Sequence, residues 1–284
     1  MTDDTQPPDG TERTDMDPES HYDEFSDKEW DRLRSNPVTR LEYENTIDVL
    51  SEELPPGGEV LDAGGGPGRY SLWLADRGHR VQHLDISAEQ VKIAKRKAKD
   101  RGLDDQINCR KGDIRDLPFK TERFEAVCCL GGPLSHVPDP EQRRNAAEEL
   151  ARVAGPDAPV FVSVIGRLTA IRDGIKHGLE DHPELIPEIA RTGDYTQELV
   201  AEYDAEGWAE CHFFRADELE AELTRAGLTV ERLVGLEGPA SVMEPELKDA
   251  SPDAIDAVRE VVRMLRDDRT VADLSAHILA ICRA

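Results

Sequence analysis

The chain has 284 residues, long enough for one large domain with a full apolar core. Asp and Glu outnumber Lys and Arg by 60 to 35, a net charge of -25, and that balance argues against nucleic acid as a partner, since phosphate binding needs a basic footprint. No apolar run approaches the roughly 20 residues of a membrane span, and the N-terminus is acidic where a secretory leader is basic, so the expectation is a cytoplasmic protein with no membrane partner.

Aromatic residues make up 5% of the chain and charged residues 33%, with the acids spread along its length. A strongly acidic, weakly hydrophobic surface suits high salt; at about 1 M the Debye length is about 3 Å, so such charge steers nothing and serves solubility. A halophilic origin is therefore the preferred reading over a surface for cationic partners. Cys109, Cys128, Cys129, Cys211 and Cys282 lie mostly in apolar runs without a C-x-x-C pair. They read as buried thiols of a reducing compartment, and no metal site is expected.

In chain order, residues 1–20 are nearly all polar, acidic or proline and predict a disordered acidic tail before a folded domain over 21–284. Tyr22, Phe25, Trp30 and Leu33 precede Pro37, and Tyr43, Ile47, Leu50 and Leu54 then recur at helical steps, which predicts two helices. Tyr22, Trp30 and Tyr43 either pack there or form a lid over the adjoining glycine-rich unit. That unit is Val60-Leu-Asp-Ala and a turn with glycine at 64, 65, 66 and 68, an apolar strand breaking into a loop that can bring backbone N–H groups against a ligand.

Residues 80–86 form a second strand that delivers Asp85, 21 residues after Gly64, where an acid can accept from both hydroxyls of a ribose. Ser87-Ala-Glu-Gln90 has capping-box form and opens a helix that stops at Gly102. A third strand over 106–110 leads to Asp113 and Ile114, placed to meet an exocyclic amine and an aromatic base. A fourth, 124–130, runs into Gly131-Gly-Pro-Leu-Ser-His136, where His136 is either a substrate-side base or hydrogen-bonding group, or structural. Asp62, Asp85 and Asp113 end three consecutive strands, and a parallel sheet brings such ends to one edge. A fifth strand spans 159–165. The broken helical pattern of 167–207 predicts a helical cap inserted over the site, and strands near 228–236 and 277–282 complete the alternation.

The pattern predicts an α/β fold, a doubly wound sheet of seven strands with right-handed crossovers. A glycine turn with a ribose-binding acid suits either a nicotinamide dinucleotide or S-adenosylmethionine. Arg69 occupies the third glycine position of a dinucleotide fingerprint, and Asp62 would repel a pyrophosphate, so the cationic amino-acid cofactor fits better. Together the motifs Asp62-Ala-Gly-Gly-Gly-Pro-Gly68, Asp85-Ile86, Gly112-Asp113-Ile114 and Cys129-Leu-Gly-Gly-Pro-Leu-Ser-His136 resemble those of the class I S-adenosylmethionine-dependent methyltransferases, in particular the small-molecule branch that resembles quinone-biosynthesis enzymes.

That resemblance implies a mostly parallel seven-stranded sheet closed by an antiparallel C-terminal hairpin, and methyl transfer to N, O or C of a small molecule. It puts Gly64, Gly65 and Gly66 under the methionine part with Asp62 nearby, Asp85 on the ribose, Ile86 and Ile114 on either face of adenine, Asp113 on its amino group and Leu130 in backbone contact. No Asn-Pro-Pro-Tyr-like element follows the fourth strand, which argues against base or protein-glutamine methylation. A sulfonium methyl is already electrophilic, so no catalytic residue is assigned; His136, Tyr22 and Tyr43 are the substrate-side candidates. The competing readings are a cofactor-binding sensor that transfers nothing and an NAD-dependent oxidoreductase. Oligomeric state is not legible in the pattern.

Overall fold

The computed structural model describes residues 16–25, 27–177, 182–203, 205 and 209–284. Three helices open the fold, α1 (Pro18–Phe25), α2 (Asp27–Arg32) and α3 (Pro37–Glu53). They are followed by β1 (Glu59–Ala63), α4 (Arg69–Ala75), β2 (Arg80–Asp85), α5 (Ala88–Asp100), β3 (Ile107–Lys111), β4 (Ala126–Cys129), α6 (Pro140–Val153) and β5 (Pro159–Ile165). The second half holds α7 (Arg167–His177), α8 (Leu185–Thr192), β6 (Asp194–Tyr195), α9 (Gln197–Glu202), β7 (Cys211–His212) and α10 (Ala216–Arg225). It ends with β8 (Thr229–Gly235), α11 (Glu244–Leu247), α12 (Pro252–Leu265), α13 (Arg269–Leu274) and β9 (His277–Arg283).

The main sheet has seven strands in the order β3-β2-β1-β4-β5-β9-β8. β1 to β5 run parallel, and β9 is antiparallel to both β5 and β8. Period-two alternation divides the core between the two faces: Leu61, Val127, Val160 and Ile278 join one apolar cluster, while Val60, Cys128, Phe161 and Leu279 join the other. Both faces are covered by helices, so the central strands β1, β4 and β5 are mostly apolar, with Asp62 and Ser163 as buried polar exceptions. All five cysteines are buried thiols.

Several boundaries depart from the sequence reading. Among the described residues three helices precede β1 where two were expected, since the stretch before Pro37 holds both α1 and α2; α3 opens as expected, capped by the Asn36 side chain, which accepts from Val38 N (2.9 Å) and Thr39 N (3.0 Å), with Pro37 at the first helical position. The predicted tail reached residue 20, yet α1 starts at Pro18 and Met16 is buried, its carbonyl accepting from Glu210 N at 2.9 Å. Tertiary contacts thus offset the ordering entropy of 16–20, and residues 1–15 lie outside the described residues. The fourth strand is shorter than read, with Phe124 left as an isolated bridge to Ala154. On α12 only Val262 is fully buried, and Leu265 stays 37% exposed.

A buried charge network ties the N-terminal helices to the far side of the sheet. Arg32 forks onto Glu42 of α3 (2.6 and 3.0 Å) and donates to Glu29 (2.7 Å). His277 at the start of β9 pairs through Nδ1 with Glu237 (2.6 Å) and lies 3.6 Å from Glu42. Glu237 also accepts from Ser275 Oγ (2.9 Å) and His277 N (2.8 Å). Burial works against the His277 imidazolium, but Glu42 and Glu237 outweigh it and raise its pKa. A raised histidine contributes stability that is complete below its unfolded pKa of about 6.5 and is lost as pH rises through the folded value. Glu237→Gln should therefore cost about 1 to 3 kcal/mol at about pH 6 and flatten this decline, as measured by denaturant unfolding across pH; an unchanged slope would show that His277 does not set the decline.

Candidate active site

The glycine turn after β1 is fastened to the end of β2. Gly64 N (2.8 Å) and Gly65 N (3.1 Å) both donate to the Leu84 carbonyl, and Gly66 N donates to Asp85 Oδ2 (2.7 Å). Gly64 has φ +71°, and a Cβ there would lie 2.4 Å from Pro133 Cγ in the loop after β4. Gly65 is required for space alone: a Cβ would lie 2.5 Å from His83 Nδ1 and 2.7 Å from Asp62 Oδ2. Above Gly66 a Cβ would meet nothing within 4 Å, so that backbone faces open space.

The space is a cavity of about 300 Å³ at the carboxyl edge of the parallel strands. Gly64, Gly65, Gly66, Asp85, Ile86, Asp113, Ile114, Leu130, His136 and Tyr22 all line it, so the residues expected from five separate stretches converge. Asp85 is buried; Oδ1 accepts from Ser87 N (2.9 Å) and Oδ2 from Gly66 N. Burial raises its carboxyl above the ordinary value despite these bonds. Asp113 differs: burial pushes its carboxyl up, but the paired Arg115 prevails and holds it below the ordinary value.

Two expected residues are not on the wall. Asp62 is 0% exposed beneath the turn, accepting from Ser71 Oγ at 2.6 Å, with His83 Nδ1 3.8 Å away and its Oδ1 without a hydrogen-bond partner. It braces the turn from below because its strand position points it into the layer between β1 and α4. Tyr43 stacks on Tyr70 (5.6 Å between ring centroids), and Tyr70 lines the cavity in its place. The expected cap is also displaced. No described residue of 167–207 lines the cavity, since α7 packs on α8 and α13, with Thr169 Oγ1 bonded to the Leu274 carbonyl at 2.8 Å; residues 178–181, 204 and 206–207 lie outside the described residues.

The roof comes instead from the N-terminal helices, through Asp17, Pro18, Tyr22, Glu29, Arg32 and Leu33, together with Glu210. α1 is clamped onto α5: Asp23 Oδ1 accepts from Ser87 Oγ (2.5 Å) and Glu89 N (3.1 Å), and Gln90 Nε2 donates to the Tyr22 carbonyl (3.0 Å). Arg32, Glu29 and Glu210 had no signal in the sequence, being ordinary charges in a chain that is one-third charged. Arg69 opens α4 and stacks on Trp30, 4.3 Å from the ring centroid, which pins the roof to the turn.

A family model described as "Methyltransferase domain" matches residues 60–157. A ubiquinone biosynthesis O-methyltransferase of Xanthomonas axonopodis pv. citri is 31% identical over 202 residues, 71% of this chain and 72% of that one. The chain belongs to the S-adenosylmethionine-dependent methyltransferases. The fold is shared with a methyltransferase from Methanosarcina mazei at TM-score 0.56 and 20% identity, covering 83% of this chain and 96% of that one. It is shared as well with the methyltransferase solved with the Haloferax volcanii Trm112 activator, at TM-score 0.57 and 19% identity, covering 93% and 97%.

The methyltransferase is thus an enzyme that uses S-adenosylmethionine, and its cavity suits that molecule: an open glycine cradle, a buried acid with spare acceptor capacity and apolar Ile86 and Ile114. No described helix is long and apolar enough to cross a membrane. Gly65→Ala should destabilise the fold by about 1 to 3 kcal/mol in denaturant unfolding, the scale of overpacking, because both of its neighbours are buried; wild-type stability in that variant would show that the turn can shift.

Proposed function

We propose that the methyltransferase transfers a methyl group to an oxygen of a small molecule held under the N-terminal roof. The observation that carries the site assignment is Asp85: each carboxylate oxygen accepts one backbone N–H, which leaves each a lone pair for a ribose hydroxyl. In this reading Ile86 and Ile114 enclose adenine, Asp113 takes its amino group, and Gly64, Gly65, Gly66 and Leu130 lie along the methionine part. Asp62 supports them from beneath. Arg32, opposite Gly131, is the cation for the methionine carboxylate, since two of its five N–H groups are not used by Glu29 or Glu42. The bound cofactor supplies an electrophilic sulfonium methyl. The protein's part is to orient the acceptor and exclude water. An oxygen acceptor is favoured by the O-methyltransferase activity of the Xanthomonas relative.

Asp85→Ala should weaken S-adenosylmethionine binding by about 1 to 3 kcal/mol in calorimetry, the scale for hydrogen bonds to a charged group. Because burial raises the Asp85 pKa and ribose donors favour the ionised form, wild-type affinity should fall as pH drops through that raised value, and the variant should lose this dependence. Equal affinity in the two proteins would overturn the ribose assignment.

We further propose that this is a cytoplasmic enzyme whose net charge of -25 reflects adaptation to high salt. Its melting temperature should rise steadily from about 0.1 M to about 2 M KCl as self-repulsion is screened. A melting temperature that falls or stays level over that range would contradict this origin.

A further inference from the structure

Tyr22 and His136 meet on the cavity wall from distant parts of the chain, one on the roof helix α1 and the other in the loop after β4. Tyr22 Oη lies 2.9 Å from His136 Nε2, and His136 Nδ1 lies 2.9 Å from the Glu210 carbonyl. A carbonyl only accepts, so Nδ1 carries the proton. Burial lowers the imidazole pKa to about 4, which keeps the ring neutral near pH 7 and leaves Nε2 as an acceptor for the Tyr22 hydroxyl. Burial also raises the Tyr22 phenol well above its ordinary value, so it remains a donor to the ring while its oxygen retains lone pairs.

The titratable groups acting on this pair include Glu29, Arg32, Cys211 and Asp85 around Tyr22, and His21 and Arg32 around His136. Arg32 is held by Glu29 and Glu42, and Asp17 and Glu210 add further acids to the roof. Arg32, Arg69 and Arg115 line the same cavity, so both signs of charge flank the pair, and what Tyr22 and His136 themselves offer an acceptor hydroxyl is a hydrogen-bonding chain already formed.

We propose that Tyr22 and His136 form a proton relay for a neutral hydroxyl acceptor, with Glu210 fixing the tautomer through its carbonyl. The inference rests on the methyl-transfer reading above. As the acceptor oxygen forms its bond to the methyl carbon, the carbon–sulfur bond breaks and sulfur keeps the electron pair. The hydroxyl proton passes to Tyr22 Oη while the Tyr22 proton passes to His136 Nε2. A weak base suffices because an oxygen gaining a methyl group becomes far more acidic than the starting hydroxyl. Tyr22 is then a catalytic residue and His136 a positioning residue that acts through it.

The test uses the full chain with S-adenosylhomocysteine and two ring probes, 4-nitrocatechol at a pH where it is neutral and nitrobenzene, which has no hydroxyl. Wild type should bind 4-nitrocatechol more tightly than nitrobenzene, and the ¹⁵N resonance of His136 Nε2 should move on addition of the catechol. Tyr22→Phe and His136→Gln should each weaken catechol binding about tenfold, the scale of one hydrogen bond. Affinity for S-adenosylhomocysteine, measured in all three proteins, reports folding and tests the methyl-donor reading separately. Catechol binding that is absent from wild type, equal in all three proteins or matched by nitrobenzene would overturn the relay while leaving that reading in place. Failure of wild type to bind S-adenosylhomocysteine would overturn both.

Discussion

The site depends on a backbone constraint: Gly64 N and Gly65 N converge on the Leu84 carbonyl, and Gly66 N on the Asp85 carboxylate. These bonds cross from the turn after β1 to the end of β2, so neither element can move without the other. They need glycines because the turn passes within contact of Pro133 on one side and of His83 and Asp62 on the other. A backbone that close to its neighbours leaves its outer face bare, and that bare face is the cavity floor.

The roof is held by a different kind of force. Helices α1 and α2 bury little of their own surface, and neither contains a fully buried residue. They are fixed by polar contacts: Asp23 at the start of α5, Arg69 stacked on Trp30, and Arg32 forked onto buried Glu42. Exposed ion pairs contribute little each, but Arg32 and Glu42 belong to a buried network reaching His277, where removing one partner leaves an uncompensated charge. The element that covers the reacting groups is thereby coupled to the last strand of the sheet. The floor is rigid through backbone hydrogen bonds and the roof through side-chain charge, which suits a surface over which substrate must enter and leave.

Much of the site was legible because parallel topology converts sequence order into spatial order. Strands ending in Asp85 and near Asp113 reach one edge whenever the sheet is parallel, and the loop carrying His136 follows the next strand to that edge. Periodicity failed where it carries no direction. Asp62 sits at the right strand end, yet its side chain goes beneath the turn, and Tyr43 repeats at helical spacing but stacks on Tyr70. The 167–207 segment was long enough to be a cap, and its helix α7 settles on α13 instead.

By itself, then, the sequence determined the alternating sheet, the glycine turn and the acid that comes after it, because these depend on local geometry and strand order. Only the tertiary structure decided what faces that turn. Arg32, Glu29 and Glu210 are indistinguishable from the other charges of an acidic chain until folding brings them over the cavity. The contact between Tyr22 and His136 spans 114 positions, and no local pattern encodes a hydrogen bond between side chains so far apart in the chain.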